Sequence, residues 1–154
     1  MVTLTQIRKA TSADLKGLQD LYSHLIENDT RCPPDLAKEI LCKLSAFEGS
    51  AILVGEINGK LVTSCTLVVV PNLTRGGASY ALIENVVTDT PHRGLGYGAF
   101  VLENAVQMAW KHGCYKVMLM TGSVKQSTTA FYERAGFEQS KTGFQKRRIP
   151  ARTE

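Results

Sequence analysis

No apolar run in this 154-residue chain approaches the ~20 residues that a helical membrane span requires; the longest, such as residues 65–71, are strand-sized. The first residues carry no secretory leader pattern, so the expectation is a cytoplasmic protein with no membrane partner. Cysteine is sparse and scattered: Cys32, Cys42, Cys65 and Cys114 include no C-x-x-C pair, and His24, His92 and His112 add no ligand spacing to them. Free thiols and no metal follow, with Cys65 and Cys114 placed in or beside apolar runs as small core residues. An excess of one charge sign is also lacking, since the formal net charge is only +4. Basic residues gather in the last fifth of the chain, at Lys141, Lys146, Arg147, Arg148 and Arg152. That segment is too short for a nucleic-acid-binding stripe, and it reads as a solvated edge strand and tail or as charge for a phosphate on a cofactor or substrate. With no Pro/Ser-rich linker or low-complexity tract, residues 1–154 are expected to form a single domain.

What the chain does have is concentrated in residues 82–98, LIENVVTDTPHRGLGYG. A β-rich apolar run leads into Arg93 and three alternating glycines, Gly94, Gly96 and Gly98, which open a helix. Bare backbone at the glycines lets successive N–H groups of Arg93, Gly94, Leu95, Gly96 and Tyr97 face one anion, with the positive end of the helix dipole behind them. Arg93 is expected to add a charge-assisted clamp. The helix is predicted from Leu95, Ala99, Leu102, Val106 and Ala109 at near-helical spacing, with Glu103, Asn104, Gln107 and Lys111 opposite. Gly113 should end it, and residues 115–120 read as the next strand.

Gly94-Leu95-Gly96-Tyr97-Gly98-Ala99 satisfies the dinucleotide pattern G-x-G-x-x-A literally, but six residues separate it from the strand and no acidic residue ends the next strand, so that reading is rejected. A Walker loop is excluded because no Gly-Lys-Ser/Thr is present. The pattern R-x-x-G-x-G/A at Arg93, Gly96 and Gly98 resembles the pyrophosphate loop of the GCN5-related N-acetyltransferases. A second block agrees in order and spacing: Thr129-Ala130-Phe131-Tyr132-Glu133-Arg134-Ala135-Gly136-Phe137 is similar to that family's A-x-F-Y-E-K-x-G-F segment. Ile83-Glu84-Asn85-Val86-Val87 with Cys114-Tyr115-Lys116 looks like the glucosamine-6-phosphate acetyltransferases and their bacterial relatives. The resemblance covers about residues 51–148.

This resemblance implies the GNAT acyl-CoA N-acyltransferase fold, an α/β architecture with a mixed, mostly antiparallel sheet and helices on both faces. It implies acetyl-coenzyme A as cosubstrate, with its pyrophosphate on Arg93, Gly94, Leu95, Gly96, Tyr97 and Gly98 and its pantetheine amides on backbone groups of Val86 and Val87. Thr128, which stands where many relatives have Asn, and Phe131 belong to the same cofactor side, although Phe131 also reads as a core aromatic beside Phe137. Transfer of an acetyl group to an amine needs a neutral amine, a stabilised oxyanion and a proton for the leaving thiolate. Glu84, the only carboxylate within residues 82–87, is the candidate base; its bland reading is a strand glutamate facing solvent or a basic neighbour. Tyr132 is the candidate acid, because a phenol of pKa about 10 suits a departing thiolate. A backbone N–H near Val86 is the oxyanion donor, and no cysteine intermediate is needed.

For the acceptor, a small primary amine is expected, and an amino-sugar phosphate would use Asn85, Arg75, Lys116 or Arg148. Asn72, Leu73 and Thr74 are placed near that pocket, with Glu27 and Asp29 adding negative charge. Aminoglycosides, polyamines and protein amines belong to the same class, and a non-catalytic acyl-CoA sensor would keep the glycine loop without needing Glu84 and Tyr132. Related enzymes are often dimers, so a homodimer is expected.

The remaining elements follow from local pattern. A strand is expected near residues 4–8, then a helix announced by Thr11-x-x-Asp14 with the stripe Leu15, Leu18, Tyr22 and Leu25. Cys32-Pro33-Pro34 breaks it from a second helix carrying Leu36, Ile40 and Leu44. Residues 51–57 and 61–70 flank Asn58-Gly59, a strong hairpin signal.

Overall fold

The computed structural model describes residues 6–151 and divides into two compact units, Met1–Leu119 and Met120–Glu154. The first contains a five-stranded sheet in sequential order: β1 (Ile7–Lys9), β2 (Ala51–Ile57), β3 (Lys60–Val70), β4 (Tyr80–Thr88) and β5 (Val117–Leu119). The first four strands are antiparallel, and β4 and β5 are parallel. The sheet is thus mixed and mostly antiparallel, as expected. The β2–β3 hairpin turns on Asn58 and Gly59, both with positive φ (50° and 77°), the turn that the right-handed twist of paired strands favours. Part of the expected first strand, Leu4 and Thr5, lies outside the described residues.

Three helices pack on this sheet: α1 (Leu15–Tyr22), α2 (Pro34–Ser45) and α3 (Tyr97–Lys111). At the entrance to α1 the Asp14 carboxylate accepts the Thr11 backbone N–H at 2.7 Å and a bidentate contact from Arg8, 2.7 and 2.9 Å. A short 3₁₀ turn at Ser12–Asp14 precedes the helix. Leu18 and Leu21 of α1 pack with Val54, Leu61 and Val87, and Tyr22 lies against that cluster. Burying each such leucine contributes about 1.5–3 kcal/mol. The opposite face receives α3, whose Val101 carbonyl lies over the buried Cys65 thiol.

All three helical stripes differ from the sequence reading. Helix α1 ends at Tyr22 and buries Leu18 and Leu21, so Leu25 of the expected stripe lies beyond the helix and is 38% exposed. In α3 the buried positions are Val101, Leu102, Ala105 and Ala109, whereas Leu95 stands outside the helix and is 60% exposed and Ala99 is exposed. The helix begins only at Tyr97, so Leu95 belongs to the loop; small Ala105 and Ala109 let the helix lie close to the sheet. In α2 the inward residues are Ala37 and Leu41, while Leu36 and Ile40 are 45% and 47% exposed. Pro34 at the first turn fixes where the helix begins, and its buried face is rotated by one residue from the expected Leu36/Ile40/Leu44 line. Helix α3 ends as predicted: Gly113 takes φ 74°, its N–H reaches the Trp110 carbonyl, and the Cys114 N–H reaches Ala109.

The second unit contains α4 (Gln126–Arg134). Within it the Tyr132 ring meets Phe131 at 5.1 Å and Phe137 at 6.3 Å, both edge-on. The edge strand expected in the basic segment is not formed over residues 138–151, which are exposed, with Phe144 90% exposed. An extended segment gains ladder hydrogen bonds only from a paired neighbour, and none is paired here. Arg152 lies outside the described residues.

Candidate active site

Strand β4 carries the centre of the candidate site, and a bulge shapes it. Thr66 pairs with Glu84 and Ser64 with Val87, so three residues of β3 face four of β4. Asn85 supplies the irregularity, with φ 51°, a left-handed conformation that asparagine tolerates better than most residues. The extra residue breaks the alternation: Glu84 and Asn85 are both exposed, Val86 is half-buried, and Val87 enters the core against α1. On the other side, β4 pairs with β5 only over Ala81–Val117, Leu82–Met118 and Ile83–Leu119. From Glu84 onward that edge of β4 is not covered by β5, and its peptide groups can accept an extended amide chain.

Tyr22 was read in the sequence only as part of a helical stripe. Burial raises its phenol pKa, partly offset by a hydrogen bond to Thr66, the residue paired with Glu84 across β3. An aromatic side chain from α1 thus stands beside the strand position of the candidate base.

Beyond Thr88 the chain passes through a 3₁₀ turn, Thr90–His92, into the glycine loop. Gly94 and Gly96 take φ 75° and 87°, and a Cβ added at either would meet no atom within 4 Å. The loop therefore presents bare backbone to open space. Gly96 caps α3, whose first intrahelical bond runs from the Phe100 N–H to the Gly96 carbonyl, so the N–H groups of Tyr97, Gly98 and Ala99 have no acceptor within the helix. A 15-residue helix adds its positive dipole end to this cradle. The geometry fits a diphosphate. Arg93, read as an anion clamp, spends two donors on the fold: Nε donates to the Thr88 carbonyl at 3.0 Å and Nη2 to the His24 carbonyl at 2.9 Å. It fastens the loop to the end of the α1 segment, a use that motif spacing does not reveal.

The basic candidates are placed differently. The Arg75 guanidinium lies 5.6 Å from the Tyr115 ring centroid; the Lys116 ammonium is 5.3 Å from the same ring and 5.6 Å from that of Tyr80. They gather where β4 and β5 begin, four residues or about 13 Å of strand before Glu84. Asn72 pins its own loop, donating to Thr74 and to the Ala78 carbonyl, and Leu73 is exposed. Glu27 and Asp29 follow α1 in irregular chain rather than within it. In the second unit, the Thr128 and Ser123 hydroxyls are 3.0 Å apart, Phe131 and Tyr132 are half-buried, and Arg148 is exposed. Among the described residues no group of three His, Cys, Asp or Glu side chains is placed to hold a metal ion, and no helix is long and apolar enough to cross a membrane. Burial pushes the Cys65 thiol up to about 12, so it is inert as a nucleophile at neutral pH.

Comparison with known proteins agrees with this arrangement. The family model described as "Acetyltransferase (GNAT) family" matches residues 18–137. The glucosamine 6-phosphate N-acetyltransferase of Trypanosoma brucei brucei is 30% identical over 132 residues, covering 86% of this chain and 88% of that one. The "Probable glucosamine 6-phosphate N-acetyltransferase 2" of Oryza sativa subsp. japonica is 34% identical over 142 residues, covering 86% and 81%. Among solved structures, the "Putative acetyltransferase from Agrobacterium tumefaciens str. C58" superposes with a TM-score of 0.87 at 45% identity, covering 93% of this chain and 99% of that one. The split sheet edge and glycine cradle on β4 and α3 are thus accompanied by a family match over most of the chain, which belongs to the GNAT family of acetyltransferases and is an N-acetyltransferase.

Proposed function

We propose that the protein transfers the acetyl group of acetyl-coenzyme A to the primary amine of a small molecule, an amino-sugar phosphate such as glucosamine 6-phosphate, and that the whole chain works as one catalytic domain. The observation that carries the reading is the edge of β4, which loses β5 after Ile83 and leads directly into the bare-backbone turn at Gly94 and Gly96. Backbone groups of Val86 and Val87 would take the pantetheine amides and the turn from Arg93 to Gly98 the pyrophosphate, while the family resemblance assigns Thr128 and Phe131 to cofactor contact. Bound acetyl-coenzyme A supplies an acyl group activated by its thioester.

The chain's own groups do the rest. Glu84, exposed on the strand at the point where the sheet opens, takes the proton that makes the amine nucleophilic. A backbone N–H near Val86 offers a donor to the carbonyl oxygen as negative charge grows there. Tyr132 returns a proton to the thiolate that leaves. No cysteine is acylated, which agrees with the high pKa of Cys65. For the acceptor, Asn85 beside Glu84 and the basic residues Arg75, Lys116 and Arg148 supply the polar and positive groups that a sugar phosphate needs. The curated relatives named as glucosamine 6-phosphate N-acetyltransferases support this acceptor class. A homodimer is proposed with it, to be checked by sedimentation.

The test is calorimetric titration with acetyl-coenzyme A, using NAD as control, followed by a thiol-release screen of amines that includes glucosamine 6-phosphate. Cofactor binding with thiol release on glucosamine 6-phosphate supports the whole reading. Release only on polyamines, aminoglycosides or peptide amines corrects the acceptor. Failure of acetyl-coenzyme A to bind refutes the site.

A further inference from the structure

Asp89 is the only carboxylate among the described residues that is fully buried, at 1% exposure. It stands between the end of β4 and the glycine loop, and sequence reading assigned it nothing. Its backbone N–H donates to the Val62 carbonyl of β3 at 2.9 Å. Its Oδ1 lies 3.1 Å from His92 Nδ1 in the 3₁₀ turn. Its Oδ2 makes a close ion pair with Lys60 Nζ at 2.6 Å, without the angle of a directed hydrogen bond. The His92 ring in turn lies 6.2 Å from that of Tyr97, the residue that starts α3. The carboxylate therefore ties the start of β3 to the turn after β4, and its partner His92 neighbours the first residue of α3. A second tie runs alongside: Thr90 meets His24 Nδ1 through its hydroxyl at 2.9 Å and its N–H at 3.3 Å, next to the Arg93 contact with the His24 carbonyl.

A buried anion carries a desolvation cost that a neutral residue would avoid, and here that cost is met by partners on two different elements. We propose that Asp89, acting through Lys60 and His92, is a positioning residue that holds the Arg93–Gly98 turn in the shape that receives a diphosphate. The proposal rests on the assignment of acetyl-coenzyme A's pyrophosphate to that turn. It makes a prediction opposite in sign to simple electrostatics. Asp89 neutralises Lys60, so if charge alone governed anion binding, Asp89→Asn would free a cation near the loop and tighten it. If Asp89 positions the turn, the same substitution weakens binding.

The experiment compares dissociation constants of acetyl-coenzyme A and S-acetylpantetheine, which lacks the pyrophosphate and nucleotide, for the wild-type protein and for Asp89→Asn. The wild type should bind acetyl-coenzyme A far more tightly. Asp89→Asn should lose about tenfold on acetyl-coenzyme A and nothing on S-acetylpantetheine. Unchanged or tighter binding of acetyl-coenzyme A by Asp89→Asn overturns the proposal, as does an equal loss on both ligands, which would mark a general defect. A wild type that does not distinguish the two ligands refutes the loop assignment itself, and the role of Asp89 with it. Should Asp89→Asn fail to fold, Lys60→Met and His92→Asn remove its partners at less buried positions. Each should weaken acetyl-coenzyme A selectively by about threefold or more, with Lys60→Arg restoring the wild-type value; no selective loss in either overturns the proposal.

Discussion

Gly96 offers a substitution whose cost and consequence can be separated. It caps α3 at φ 87°, ψ 0°, and an added Cβ would meet no atom within 4 Å. An alanine there therefore meets no collision inside the fold. What remains is the left-handed conformation, which costs an L-residue about 1–2 kcal/mol. Against a typical folding stability of about 5–15 kcal/mol, the domain stays folded. At about 2–4 °C per kcal/mol for a chain of this size, the melting temperature should fall by about 2–8 °C. Gly96→Ala and Gly96→Leu carry nearly the same strain, but they differ in how much of the open space before the loop they fill. That space is where the phosphates are proposed to lie. By calorimetric titration with acetyl-coenzyme A, Gly96→Ala should bind about tenfold more weakly, and Gly96→Leu should show no measurable binding. Thermal melts on the same samples report the strain. The reasoning is refuted if Gly96→Leu binds as tightly as Gly96→Ala, because the Cβ direction would then not face the ligand.

Glu84→Gln should lower kcat by roughly a hundredfold while leaving the dissociation constant of acetyl-coenzyme A within about twofold; an unchanged kcat would assign the amine proton to water. Tyr132→Phe should lower turnover by roughly tenfold or more, and full activity would remove the phenol from the mechanism. Arg148→Ala should raise KM for glucosamine 6-phosphate without moving KM for acetyl-coenzyme A, an assignment defeated by equal effects on both. Asp14 contributes to stability against acid. Its hydrogen bonds with Arg8 hold its pKa below the ordinary carboxylate range despite partial burial. The contribution is therefore fully present above the unfolded-state value near pH ~4 and is lost as pH falls through the folded value. Asp14→Asn should cost about 2 kcal/mol at pH 7 and much less at pH 2 in urea unfolding, and parallel losses at both pH values would contradict the linkage.

Although the end of α1 at Tyr22, well before the prolines, was not legible, local signals in the sequence determined the hairpin at Asn58-Gly59, the start of α2 at Pro34, the start of α1 at Thr11–Asp14 and the stop of α3 at Gly113, because each depends on backbone conformations that neighbouring residues set themselves. The glycine loop was legible for the same reason: positive φ at Gly94 and Gly96 is a property of those residues. Which face of a helix is buried was not. Periodicity gives the spacing of a stripe but not its rotation: α2 buries Ala37 and Leu41 and leaves Leu36 and Ile40 exposed, and α3 buries Val101 and Ala105 while Ala99 is exposed. The tertiary structure alone decided the features that make a site of the loop. The bulge at Asn85 appears only when β4 is laid against β3, and the opening after Ile83 only when β5 is laid against β4. The partners of Asp89 come from residues 29 positions before it and 3 after it, while those of Arg93 come from 69 and 5 positions before it. Long-range pairing of this kind leaves no local periodicity in the chain, because it is selected by where folded elements meet and not by what any one of them prefers.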